Sequence, residues 1–141
     1  MRTLTRRPLG PLAAAVLLAA VGCGSDIPLR LAPVRGTVSF QGKALDHGQV
    51  VFAPQGETPG PQAVGTIGPD GTFRMTTAGE DGVVLGTHLV TVHCRREVSE
   101  EEARNLIIGE SLIPDKYCKE SQSPLKFEVK EGPNEYPIVL E

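Results

Sequence analysis

Glycine and proline punctuate this chain too densely for long helices. The sequence holds 16 glycines and 12 prolines in 141 residues. Inside a helix each glycine costs about 1 kcal/mol and each proline about 3 kcal/mol relative to alanine. Between these breakers run short segments in which apolar and polar residues alternate, the period of a strand with one buried face. In VRGTVSF, Val34, Gly36, Val38 and Phe40 alternate with Arg35, Thr37 and Ser39. QVVFAP repeats the pattern with Val50 and Phe52. Pro54, Gly56, Pro59, Gly60 and Pro61 then make a loop. AVGTIGPDGTFRMTT reads as two strands about an Asp70-Gly71 turn, with Phe73 and Met75 inward and Arg74 and Thr76 outward. Residues 78–83 read as a further loop. GTHLVTVHC puts His88, Val90, Val92 and Cys94 on one face and Leu89, Thr91 and His93 on the other. Two closing strands alternate through Leu125, Phe127 and Val129, then Tyr136, Ile138 and Leu140.

One segment carries a helical signal, VSEEEARNLIIG. Ser99 and Glu102 have capping-box spacing, and Glu100 and Glu101 suit the positive helix end. Ala103, Leu106 and Ile107 are expected on one face, with Gly109 as the stop. So short a helix is marginal alone and is expected to pack on the sheets. Seven short strands with turns between them predict an all-β, antiparallel Greek-key sandwich, with this one short helix inserted before the last two strands.

The first 22 residues have another character. Arg2, Arg6 and Arg7 precede an apolar run from Leu9 to Val21, the layout of a bacterial secretory signal. The run is shorter than the roughly 20 residues a membrane-spanning helix needs. Ala20, Val21 and Gly22 then lead into Cys23. This junction resembles the lipobox of bacterial lipoproteins, although Ala20 stands where that family usually has Leu. The resemblance implies cleavage before Cys23, diacylglycerol on its sulfur, and an acyl chain such as palmitate on the new amino terminus. Stable anchoring takes more than one chain, which such a terminus supplies. The expected layout is a lipoprotein signal peptide at 1–22, a lipidated tether at 23–33 and a domain at 34–141. Removing 1–22 takes away three arginines and no acid. That leaves 11 basic against 17 acidic side chains, a net charge of −6. This balance argues against a nucleic-acid partner and against electrostatic docking on anionic lipid.

A second resemblance covers nearly all of the mature chain. GTVSFQGKALDHGQVVFAP, GPDGTFRMTT, GTHLVTV, LIPDKY and SPLKFEVKEGPNEYPIVLE, in that order, look like a carboxypeptidase regulatory-like domain. The resemblance implies a transthyretin-like, Ig-like sandwich of seven strands. It does not imply peptidase activity, because in metallocarboxypeptidases this domain sits beside the zinc enzyme.

Candidate chemistry is sparse. Cys94 and Cys118 remain once Cys23 is used. In an oxidising envelope they are expected to pair, and closing a loop of about 25 residues is worth roughly 3.5 kcal/mol in the chain-entropy model. The other reading is two separate thiols, since buried cysteine also serves as a small hydrophobe. His88 and His93 stand five apart on a strand and face opposite ways, and His47 sits in a turn, so no shared zinc site is expected. Glu100, Glu101 and Glu102 diverge around a helix start and do not make a catalytic carboxylate pair. The sequence has no Gly-x-Ser-x-Gly elbow, no His-Glu-x-x-His and no phosphate-cradling glycine loop.

The expectation is a non-catalytic protein with no cofactor, exported and held at the cell membrane or outer membrane by lipid on Cys23. Its domain would be a structural or interaction module for an envelope protein, presenting loops or a sheet edge. Residues 54–62 and 98–118 are the most individual surfaces. Two alternatives are a small-ligand or metal carrier using His88, His93 or the cysteines, and an accessory subunit of an envelope hydrolase.

Overall fold

The computed structural model describes residues 28–141. The signal segment and Cys23 lie outside the described residues. The described chain is mostly β, with twelve strands. They are β1 Leu31–Ala32, β2 Val34–Phe40, β3 Lys43–Ala44, β4 Gln49–Pro54, β5 Ala63–Thr66, β6 Thr72–Arg74, β7 Thr76–Thr77, β8 Glu80–Asp81, β9 Val83–Val84, β10 Gly86–His93, β11 Lys126–Val129 and β12 Asn134–Leu140. One short helix, α1 Glu100–Arg104, and a single 3-10 turn, Asp115–Tyr117, complete it.

The strands form two main sheets. One runs β11-β10-β4-β5-β7-β8; the other runs β12-β2-β3, with β6 also on β2. Their apolar faces meet in one core. Val34 and Val38 from β2 and Ile138 and Leu140 from β12 face Val50 and Phe52 from β4 and Val90 and Val92 from β10. This is the burial that the alternating residues require. Phe52 is fully buried, and it meets Phe127 and Tyr136 edge-on at centroid distances of 5.9 and 6.1 Å.

The structure departs from the expected pattern in four places. First, there are twelve strands, because long runs break where the chain changes sheets. Met75 is such a break: β6 pairs with β2 in one sheet and β7 with β5 in the other. Second, β12 runs parallel to β2 over seven pairs, Asn134 opposite Val34 through Leu140 opposite Phe40. A parallel pair needs a crossover, and here it is almost the whole domain. Third, the region expected to be tether is engaged from Leu31: β1 pairs with β9, and Ala32 is buried. Fourth, residues 78–83, read as loop, hold β8 and the start of β9 on either side of Gly82, whose φ of 112° suits glycine.

Strand β10 organises the molecule. His88 to Val92 are all buried, so both of its faces are covered. At its start lie the first described residues: the Leu85 amide donates to the Arg30 carbonyl, and Arg30 pairs with Glu131. Loop 54–62 is at the same end. Gln55 donates its amide to Thr87, and the Thr58 hydroxyl accepts from the Thr87 amide. Residues 95–112 leave from the other end.

Candidate functional site

The segment after β10 is built as a pedestal with an apolar tip. At its base the Arg96 amide donates to Glu110 and the Leu112 amide donates to Cys94, both at 2.9 Å. Arg95 and Ser111 form an antiparallel bridge between them. Gly109 fits here because a side chain would run into the Arg96 carbonyl. From this base rises α1. Ser99 accepts from the Glu102 amide, and Glu102 accepts from the Ser99 amide, which completes the capping box. Arg96 grips both oxygens of Glu102 at 3.1 and 3.3 Å. That grip, with the Ser99 amide, holds the Glu102 carboxyl down to about 2.

The helix ends at Arg104, five residues before the glycine expected to stop it. Leu106 turns out with φ at 57°. Nothing in α1 is buried, so the expected packing of its apolar face on the sheets does not occur. Leu106 is 87% exposed, Ile107 47% and Ile108 75%. Three consecutive apolar side chains therefore stand in solvent on a hydrogen-bonded support. The returning segment does the opposite. Ile113 and Tyr117 are buried, and the Tyr117 hydroxyl accepts from the Glu141 amide at 3.1 Å. The sequence offered no period that marked Tyr117 as core.

The two remaining cysteines are free thiols. The bridge expected between Cys94 and Cys118 is not formed, because each sulfur is turned to a different neighbour. Cys94 points into the core with its sulfur 3.7 Å from His47 Nε2, and Cys118 turns to the Ser111 hydroxyl at 3.5 Å. Burial pushes the Cys94 thiol up, with Asp46 and Cys118 adding to the shift. His47 holds the Arg95 carbonyl with Nε2 at 2.7 Å and Asp46 with Nδ1 at 2.5 Å. Both partners accept, so both ring nitrogens donate. The Arg95 carbonyl first, then Asp46, raises its pKa. Because Nε2 donates to the Arg95 carbonyl, it has no lone pair to offer the Cys94 sulfur beside it.

The other two histidines each make one hydrogen bond through a ring nitrogen. His88 is fully buried and donates from Nε2 to the Val84 carbonyl at 2.8 Å; its Nδ1 has no partner. His93 meets the Thr91 hydroxyl at 3.2 Å. Burial lowers both pKa values. Among the described residues no three His, Cys, Asp or Glu side chains gather as a metal site.

A groove of about 540 Å³ crosses the outer face of β12, β2 and β6. Register places Glu135, Arg35 and Arg74 in one row across these strands. Thr37 and Thr72 are opposite each other in the next outward row. Arg35 Nη2 donates to Glu135 Oε1 at 3.1 Å. The sequence showed Arg35 and Arg74 as outward residues but not that they are neighbours.

No family model matches this chain. No curated protein matches it either. One solved structure, a DUF3823 family protein from Parabacteroides merdae, is similar at a TM-score of 0.44 and 18% identity. The similarity covers 77% of this chain and 45% of that one, so this chain spans less than half of that structure.

Proposed function

We propose that this protein is a non-catalytic, lipid-anchored envelope protein whose domain docks a partner protein through the tip at residues 106–108. The anchor is the acylated Cys23, exported under the signal at 1–22. The finer architecture is the seven-stranded, transthyretin-like sandwich of the carboxypeptidase regulatory-like domains. Grouping β6 with β7 and setting aside the two-residue strands β1, β3, β8 and β9 leaves seven principal strands, which supports it.

The observation that carries the reading is the exposure of Leu106, Ile107 and Ile108 on a capped support that contributes nothing to the core. Exposed apolar clusters mark interaction sites. The collar around the tip says what the partner looks like. Glu97, Glu100, Glu101 and Glu110 flank it in the chain; within residues 97–110 Arg104 is the one basic side chain, while Arg95 donates to Gly109 and Arg96 holds Glu102. An acidic collar repels anionic lipid and favours an apolar pocket rimmed by Lys or Arg. Position agrees. The first described residues and loop 54–62 lie at the start of β10, and the tip leaves from its end. Eight residues at about 3.3 Å each separate them by roughly 26 Å. Sheet edges serve less well: Pro137 stands in edge strand β12, and β11 carries Lys126 and Glu128.

The test is a photo-crosslinking amino acid at Ile108 in the full chain in cells, with Glu128 on β11 as the control position. A discrete protein adduct at Ile108 that weakens at least tenfold with Ile107→Asp, and whose attachment peptide is apolar with flanking Lys or Arg, supports the reading. An equal adduct pattern at Glu128, or adducts indifferent to Ile107→Asp, overturns it. An adduct to an envelope hydrolase would make the protein its accessory subunit.

A further inference from the structure

We propose that the groove over β12, β2 and β6 binds the oxyanion of a sugar-sized ligand, a carboxylate or phosphate gripped by Arg35 and Arg74 together. The site is independent of the apolar tip. The argument begins with an apparent fault. Arg35 and Arg74 are direct cross-strand partners on the outer face. Such partners have Cβ atoms about 5 Å apart, and like charges there are destabilising. Guanidinium groups on two paired residues can close on one oxyanion from its two sides, which turns the repulsion into a binding contribution.

The neighbouring acids leave this position open. Glu135 lies on the far side of Arg35 and takes one of its five donors. Among the described residues no carboxylate lies within ion-pair distance of Arg74. Asp70 is near, but its Oδ1 already accepts from the Thr72 amide at 3.1 Å and the Thr72 hydroxyl at 2.6 Å. With its proton committed there, the Thr72 hydroxyl keeps its lone pairs as acceptors, and Thr37 and Thr66 line the groove with it. These are partners for the hydroxyls of a sugar. The floor is the strands themselves at Gly36, Phe73 and Tyr136, whose side-chain directions alternate with those of the outward row. The volume is in the range that takes a monosaccharide-sized body.

The test is calorimetry on the full chain in detergent, with glucuronate and glucose 6-phosphate as probes and glucose and inorganic phosphate as controls. Saturable binding of an anionic sugar, at least tenfold weaker in Arg74→Gln and absent in Arg35→Gln/Arg74→Gln, is expected. Glu135→Gln should tighten it several-fold by freeing the Arg35 donor. All three positions are exposed, and an unchanged melting temperature verifies that the fold is intact. Binding undiminished in Arg74→Gln, or no saturable heat from either anionic sugar at about 10 mM, roughly tenfold above a millimolar Kd, overturns the proposal. Equal affinity for inorganic phosphate overturns the sugar part and assigns the groove to the bare anion.

Discussion

Two residues, His88 and Gly36, are each held by a single physical constraint. His88 has one ring nitrogen bonded to Val84 and the other without a partner, inside a core shared with Phe52 at 5.8 Å. Burial drives its pKa below the ordinary 6.5. The unfolded chain therefore binds this proton more readily than the folded one. Stability attributable to His88 is complete above about pH 6.5 and falls as pH drops below it. The melting temperature of the wild type should decline from pH 7 to pH 5, and His88→Phe, which keeps an aromatic ring against Phe52, should decline less. Equal slopes would show that the ring is not the acid-sensitive group. Gly36 is constrained by space. In Gly36→Ala the methyl group would push on the Tyr136 backbone across the parallel pair and on Phe73. Overpacking of this kind costs about 1–3 kcal/mol, so the variant should melt several degrees lower. A melting temperature within a degree of the wild type would mean that β2 and β12 can part freely.

Among the elements, α1 is stable for local reasons and gives nothing to the sandwich. Its cap, its first-turn acids and its Arg96 clamp are all internal to the pedestal. Losing a serine cap costs about 1 kcal/mol. In Ser99→Ala that cost should appear as faster amide exchange at residues 102–105, while the global melting temperature stays within about a degree. A large global loss would mean that the pedestal supports the core after all. The same locality explains what the sequence could and could not reveal here. Ser99 and Glu102 three apart spell out a cap, because capping depends on neighbours in the chain. The helix length was misjudged, because Leu106 and Ile107 fit a helical face that has nothing to pack on. Burial at Tyr117 was invisible for the converse reason: it is earned by contact with Glu141, far along the chain.

At the scale of the molecule, alternation revealed β2, β4, β10 and β12, since each buries one face or both against the opposite sheet. It could not reveal which strands are neighbours. The parallel β2–β12 pair and the Arg35–Arg74 juxtaposition depend on register between distant segments, and period-two patterns carry no such information. Nor could the pattern say that the two individual surfaces lie at opposite ends of β10. That separation makes a prediction for the anchored protein. If Cys23 is lipidated, the chain descends to the bilayer from the pole where Arg30 meets Leu85, and loop 54–62 sits over the headgroups while residues 106–108 point away. Fluorophores placed through Glu57→Cys or Ile108→Cys, each in a Cys118→Ser background, should respond differently to a quencher carried on lipid headgroups. The probe at position 57 should be quenched several-fold more than the one at 108, because quenching decays over a distance shorter than the roughly 26 Å length of β10. The reverse order would put the apolar tip against the membrane and remove the case for a protein partner. Replacing Cys23 with Ser should abolish quenching at both positions and move the chain from the detergent phase to the aqueous phase, since a net charge of −6 provides no attraction to an anionic surface.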